Sequence, residues 1–197
     1  SLAILPLLGV GGVQLFTAEV PGPTPDKLHP KITGTAKRLW AIYVIFTFVE
    51  TVMLMFGGMN LFDALCHSFG TMATGGFSTQ NASVAEYSPY IQYVITVFMA
   101  LAGINFTLHY FALHGNFKKV LKNQEFKYFI ALLLGSIVLL TTIVFIQTDS
   151  TFEKSFRDTA FQVVSIVTTT GFVSYNYTLW PAFAIFLIFL LMFTGGS

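Results

Sequence analysis

The chain has 197 residues, of which 54% are hydrophobic and only 10% charged, and its mean hydropathy is +0.71. Soluble domains carry about a quarter charged residues, so this composition is that of a membrane protein. A net charge of +1 points to no nucleic-acid partner. The single cysteine, Cys66, can form neither an intrachain disulfide nor a structural zinc site.

Residues 2–16 form an apolar run, shorter than the roughly 20 residues a span requires. No secretory signal is legible, since Ser1-Leu2-Ala3 lacks a basic n-region. The chain opens inside this run and closes just after another, so it is expected to be an internal piece of a longer transporter or channel. Residues 17–38 read as a polar linker. Pro21, Pro23, Pro25 and Pro30 forbid a continuous helix there, and Lys27, Lys31, Lys37 and Arg38 make it basic. Residues 39–59 are a full span, with Trp40 and Tyr43 near one interface. Residues 61–73 are apolar but short: at 1.5 Å per residue they reach about 20 Å, against a hydrocarbon core of about 30 Å. This run ends in Thr74-Gly75-Gly76-Phe77.

Pro89 opens a long span to about His114, followed by Lys118, Lys119, Lys122 and Lys127. Residues 128–146 span again. Residues 152–167 are a second short run, ending in Thr168-Thr169-Thr170-Gly171-Phe172, and Trp180-Pro181 opens the last apolar stretch.

The order span, short run, bend, span therefore occurs twice. Asp63 lies 13 residues before Gly76, and Asp158 lies 13 before Gly171; each glycine is followed by Phe, at 77 and 172. Pro89 precedes Gly103 by 14 residues, and Pro181 precedes Gly195 by 14. Such matched spacings indicate an internal duplication. Eight of the ten Lys and Arg residues lie in the linkers 17–38 and 116–127, which the positive-inside rule assigns to the cytoplasm. An even number of crossings must separate two cytoplasmic linkers. The spans 39–59 and 89–114 already supply two, so the short run 61–73 must enter and return on the outer side.

Backbone that leaves helical geometry at membrane depth must be buried in protein or line a polar path. Its free carbonyls are costly in lipid, and a cation can replace their missing partners; a ring of them can substitute for the hydration shell of K⁺. Glycine serves where successive carbonyls must point one way, through dihedrals closed to residues with a Cβ. Neither bend contains a carboxylate, which argues against a ring of acids selecting Ca²⁺. Two bends make at most half of a fourfold ring. The competing reading, ordinary turns between helices, does not account for the duplication or for the short lead-in runs.

At these residues the chain resembles the TrkH/KtrB superfamily of potassium transport proteins, and its TrkH branch more closely. The matching words are Ala73-Thr74-Gly75-Gly76-Phe77-Ser78-Thr79, Thr168-Thr169-Thr170-Gly171-Phe172, Ala102-Gly103-Ile104-Asn105, and Leu8 through Phe16. The resemblance implies an all-α polytopic fold of repeated helix, re-entrant pore helix, helix units around a K⁺-channel-like pore. It assigns 1–16 to the end of the first repeat's inner helix and 39–115 to the second repeat, with pore helix 61–73 and filter 74–79. It assigns 128–197 to the third repeat, with pore helix 152–168, filter 169–173 and a truncated inner helix. The conserved filter glycine falls on Gly76 and Gly171, and carbonyls of Thr74, Gly75, Thr169 and Thr170 become the K⁺ ligands. K⁺ is then the bound and transported ion, with Na⁺ less strongly rejected than in tetrameric K⁺ channels. The resemblance further implies a homodimer in the cytoplasmic membrane and a TrkA-like nucleotide-binding regulator, with no organic cofactor in this chain.

Several polar residues have structural readings. Glu50 sits mid-span, where a charge costs at least about 2.5–3.5 kcal/mol, and is expected to pair inside the bundle or to be protonated, with a structural partner preferred over ion relay. Asp63 and Asp158 are expected to cap their pore helices. Phe77 and Phe172 are expected to wedge the bends against their surroundings. Cys66 is expected to pack. His67 aligns with Gln162, and a shared hydrogen bond steadying the filter is open beside simple packing. Asn105 and His109 are expected to bond between helices, and Lys118, Lys119 and Lys122 to follow from topology, with anionic lipid or a cytoplasmic partner within reach. An intramembrane enzyme would need a nucleophile–base pair or a metal cluster, and the scattered histidines supply neither. A secondary transporter with substrate at broken helices is the remaining alternative.

Overall fold

The structure, a computed structural model, describes residues 32–148 and 150–195. The expected inner-helix end at 1–16 and the linker as far as residue 31 lie outside them. Every regular element among the described residues is helical. In chain order these are α1 (Ile32–Phe56), α2 (Leu61–Met72), α3 (Pro89–Ala102), α4 (Phe106–Leu113), α5 (Phe117–Lys122), α6 (Gln124–Gln147), α7 (Phe152–Val167), a 3₁₀ turn (Tyr177–Leu179) and α8 (Ala182–Gly195).

Two helical stretches are long and apolar enough to cross a membrane, Lys37–Phe56 within α1 and Gln124–Gln147. Their apolar residues point in all directions. Trp40, Phe48, Phe56, Leu134, Val138 and Ile146 are more than half exposed, a surface suited to lipid rather than water. By contrast α2 has 12 residues and α7 has 16, so at 1.5 Å per residue both fall short of the core thickness.

The expected continuous span 89–114 is broken. Gly103 ends α3, and Asn105 starts α4 by accepting a hydrogen bond from the Thr107 amide at 3.0 Å. Asn105 is thus a helix cap, not the interhelical bonding group expected from its spacing. The polar side chain competes with the backbone ladder at this point and restarts the helix. The basic linker 116–127 is also more ordered than expected, since it contains α5 and the first turn of α6.

The chain divides into two compact units. In the first, residues 32–45 and 104–128, the Arg38 guanidinium lies 5.2 Å from the centre of the Tyr110 ring and donates to its hydroxyl. Tyr43 meets Phe106 at 6.4 Å, and Lys119 sits over Phe111 at 4.7 Å.

The second unit, residues 46–103 with 129–148 and 150–195, contains both short helices. Each is tied to the long helix before it by a buried hydroxyl pair, Thr51 with Ser68 at 2.7 Å and Thr141 with Thr159 at 2.6 Å. The device recurs, but the residues are not in matching register. Helix α3 packs on both α2 and α7, and α8 packs on α7. The glycines that end these two apolar helices make the approach possible. A Cβ on Gly103 would lie 2.6 Å from the Thr168 methyl, and one on Gly195 would lie 2.7 Å from the Ile166 carbonyl oxygen. Gly103 and Gly195 thus both close on the last turn of α7, immediately before the bend.

Gly103→Val is therefore expected to destabilise the full-length protein by about 1–3 kcal/mol through overpacking, read as a lower melting temperature in detergent. Gly135→Ala in α6, where a Cβ meets nothing within 4 Å, is expected to leave that temperature unchanged or slightly raised.

Candidate functional site

Helix α2 begins at Asn60, whose side-chain oxygen accepts from the Asp63 amide at 2.8 Å while its amide group donates to the Asp63 carboxylate at 2.7 Å. Thr151 caps α7 through the Lys154 amide. In repeat register α7 therefore starts about one turn earlier than α2. The cap of α2 is Asn60, and Asp63 is an acidic residue of the first turn rather than the cap expected; Asp158 is the seventh residue of α7 and caps nothing. Asp158 instead lies 3.7 Å from the Arg157 Nε.

Beyond their last turns the two helices enter bends with matched hydrogen bonding. The amides of Gly75 and Gly76 both reach the Gly70 carbonyl, at 2.8 and 3.3 Å; the amides of Thr170 and Gly171 both reach the Ser165 carbonyl, at 2.9 and 3.2 Å. Thr74 bonds to the Thr71 carbonyl and Thr169 to the Ile166 carbonyl, each at 3.0 Å. The dihedrals match too. Thr74 and Thr169 have φ of 49° and 57°, and Gly76 and Gly171 have 64° and 88°. Two consecutive amides converging on one oxygen is the nest arrangement produced by alternating handedness.

This nest fixes where the carbonyls point. A trans peptide directs its N–H and C=O oppositely, and the described residues contain no cis bond. Because the Gly75 and Gly76 amides face the helix, the carbonyls of Thr74 and Gly75 face away from it. The carbonyls of Thr169 and Thr170 do the same. Among the described residues, none of the carbonyl oxygens of Thr74, Gly75, Gly76, Thr169, Thr170 and Gly171 accepts a hydrogen bond. The structure thus brings all six sequence-selected residues together as two equivalent arcs of free oxygens.

The arcs touch. A Cβ on Gly76 would collide with the Thr170 carbonyl oxygen and lie 3.0 Å from the Gly171 carbonyl carbon, so only glycine fits at this seam. The returning segments are joined as well. The Val84 amide donates to the Val173 carbonyl at 3.0 Å, and the Val173 amide donates to the Ser83 hydroxyl at 3.2 Å. Ser83 adopts a φ of 55° to make this clasp, and nothing in the sequence signalled it.

The two filter phenylalanines differ. Phe172 is fully buried, stacked on His67 with ring centres 5.7 Å apart, and its tip lies 3.1 Å from where a Gly70 Cβ would be. Phe77 is 84% exposed. The expected wedge holds for Phe172 and fails for Phe77 among the described residues. The difference follows from what each ring meets: Phe172 enters the space left by Gly70 of the preceding repeat.

Charged groups stay off the bends. The Asp63 carboxylate accepts from the Thr79 hydroxyl at 2.6 Å and from Asn60, and lies 3.4 Å from the Tyr87 hydroxyl. The Thr79 bond, above all, holds it below the ordinary carboxylate range. Burial pushes Asp158 the other way, partly offset by Arg157. No group of three His, Cys, Asp or Glu residues among those described could hold a metal ion; the bends offer backbone carbonyls and threonine hydroxyls. Glu50 is completely buried, and neither of its oxygens makes a hydrogen bond. Thr71 lies beside it but donates its proton to the His67 carbonyl at 2.8 Å, so the partner expected for Glu50 is not found among the described residues.

The TrkH family profile, described as a cation transport protein, matches residues 1–197. The chain is 42% identical over 200 residues to the Trk system potassium uptake protein TrkH of Escherichia coli K12, covering all of this chain and 41% of that protein. It is 36% identical to the Trk system potassium uptake protein TrkI of Halomonas elongata, covering all of this chain and 40% of that protein. The crystal structure of the potassium transporter TrkH from Vibrio parahaemolyticus superposes with a TM-score of 0.78 at 35% identity, covering 96% of this chain and 38% of that one. The chain thus spans about two-fifths of the length of these relatives. With its whole length matched by the family profile and its fold by a solved relative, the chain belongs to the TrkH family of cation transport proteins.

Proposed function

We propose that this chain supplies two adjacent quarters of a K⁺-selective pore in the cytoplasmic membrane, as part of a potassium uptake protein. The observation that carries this reading is the pair of matched arcs whose carbonyls turn away from their own helices and find no donor. Thr170 is buried and Thr74 and Gly76 half-buried, while Gly75, Thr169 and Gly171 are exposed; at membrane depth an unpaired carbonyl in any of these places is costly. A row of them at a helix end persists where a cation takes the place of the missing donors.

In this reading Thr74, Gly75, Thr169 and Thr170 coordinate the dehydrated ion through their carbonyls, with Gly76 and Gly171 completing each arc. K⁺ is the substrate, and Rb⁺ follows the same path; Na⁺ is discriminated against because it needs closer oxygens than the clasped arcs allow. Residues 39–115 form one repeat and 128–197 belong to the next, with α2 and α7 as re-entrant pore helices. Two further repeats complete the ring. Exposed Phe77 then has a natural place: it enters the preceding repeat as Phe172 enters the space beside Gly70. Relatives named as potassium uptake proteins support K⁺ as the substrate, and assembly with a cytoplasmic TrkA-like nucleotide-binding protein is what the family resemblance adds. A homodimer in the lipid bilayer is part of the same proposal.

Two experiments test this reading. Reconstituted full-length protein carrying Gly76→Ser or Gly171→Ser is expected to lose K⁺ over Na⁺ preference in ⁸⁶Rb⁺ uptake. The loss is about fivefold to a hundredfold for a strain of about 1–3 kcal/mol at the filter, and larger for Gly76→Ser, whose Cβ also meets Thr170. Unchanged preference in both folded variants would sink the filter assignment. For topology, single cysteines replacing Glu86 and Lys122, both exposed, are expected to react with impermeant reagent from opposite sides, Glu86 from outside. Labelling of both from one side would overturn the re-entrant assignment of α2.

A further inference from the structure

Outside the arcs themselves, the second repeat contains a clamp that the third lacks among the described residues. His67 is fully buried in α2. Its Nδ1 lies 2.7 Å from the Asp63 carbonyl oxygen, which can only accept, so Nδ1 carries a proton. Its Nε2 lies 2.9 Å from the Ser78 hydroxyl, two residues beyond Gly76. Ser78 accepts from the Gln80 amide at 3.1 Å, and its single proton is shared between Nε2 and the Ser83 carbonyl at 3.1 Å. The imidazole cannot turn away, because Phe172 stacks on one face at 5.7 Å and Tyr87 meets it edge-on at 5.4 Å.

The next residue is fixed in parallel, with the Thr79 hydroxyl on the Asp63 carboxylate at 2.6 Å. Two side chains of the pore helix thus grip consecutive residues of the returning strand. At matching register the third repeat has Gln162 for His67, Val173 for Ser78 and Ser174 for Thr79. Val173 offers no hydroxyl. The buried Gln162 Oε1 and Ser174 Oγ have no partner among the described residues, so neither grip is made. That repeat is instead braced from Ser165, whose hydroxyl donates to the Phe172 carbonyl at 2.7 Å.

We propose that His67 is a positioning residue for ion selectivity: through Ser78 it fixes the height of the 74–76 carbonyls and makes the second repeat the rigid quarter of the filter. This rests on the filter reading above. A strand that can relax inward offers the smaller Na⁺ the closer oxygens it needs and so erodes discrimination by oxygen spacing. A strand gripped two residues past its last ligand resists that movement.

The test is Na⁺ competition against ⁸⁶Rb⁺ uptake by full-length protein in proteoliposomes. His67→Ala and Ser78→Ala are each expected to lose about tenfold of K⁺ over Na⁺ preference, the worth of one buried hydrogen bond. The double variant should lose no more than either alone. His67→Gln, which restores a donor–acceptor side chain of the third-repeat type, should stay within about twofold of the unsubstituted protein, as should Gln162→Ala, since one marginal contact is worth that little. A purely packing role would instead spare Ser78→Ala and would not be rescued by glutamine. If His67→Ala fails to assemble, Ser78→Ala, which lies outside the helix, decides alone. Retained preference in the His67 and Ser78 variants, with preference lost in Gly76→Ser, overturns the clamp and leaves the filter reading standing. Retained preference in the glycine variants as well removes both.

Discussion

Two amides converging on one carbonyl at the end of each short helix are the interaction on which the rest of this structure depends. Gly70 receives Gly75 and Gly76, and Ser165 receives Thr170 and Gly171. Through the geometry of the trans peptide this bond pair does two things at once. It satisfies the amides that the chain exposes on leaving the helix, and it turns the carbonyls before them outward. A helix end normally seeks partners for its carbonyls. Here the backbone satisfies its donors and leaves its acceptors free, which creates an oxygen-lined edge without any charged side chain.

Everything around the arcs limits their movement. Glycines at the ends of α3 and α8 let both helices rest on the last turn of α7. Phe172 from one repeat fills the space beside Gly70 of the other, and the Ser83–Val173 and Val84–Val173 bonds join the returning strands. The small residues serve mainly to allow close approach: Gly76 touches the Thr170 carbonyl where any larger residue would part the arcs. The repeats agree in backbone and differ in side-chain bracing. Duplication preserved the dihedrals at 74/169 and 76/171 while His67, Ser78 and Thr79 diverged from Gln162, Val173 and Ser174.

Much of this was legible in the amino-acid order. The short runs before each bend, the matched 13-residue spacings and the paired glycines located both bends, while the six residues within them came from the family resemblance. Those features are local, and local backbone chemistry fixes them. Other readings failed where the outcome depended on neighbours. Asp158 looked like a cap because Asp63 is near one, but Thr151 starts α7 a turn earlier. Phe77 and Phe172 are equivalent in the sequence yet one is exposed and one buried, because only Phe172 has a preceding repeat beside it among the described residues. Asn105 looked like a residue inside a continuous helix and instead restarts one.

The sequence by itself determined the membrane class, the duplication and the positions of both bends, because hydropathy, helix length and glycine requirements act over a few residues at a time. Only the tertiary structure decided that the two arcs meet at Gly76, that Ser83 and Val173 join the returning strands, and that Phe172 fills the space beside Gly70. Those outcomes rest on hydrogen bonds and contacts between segments that converge only once the helices pack, some of them about ninety residues apart in sequence. No window along the chain contains both partners.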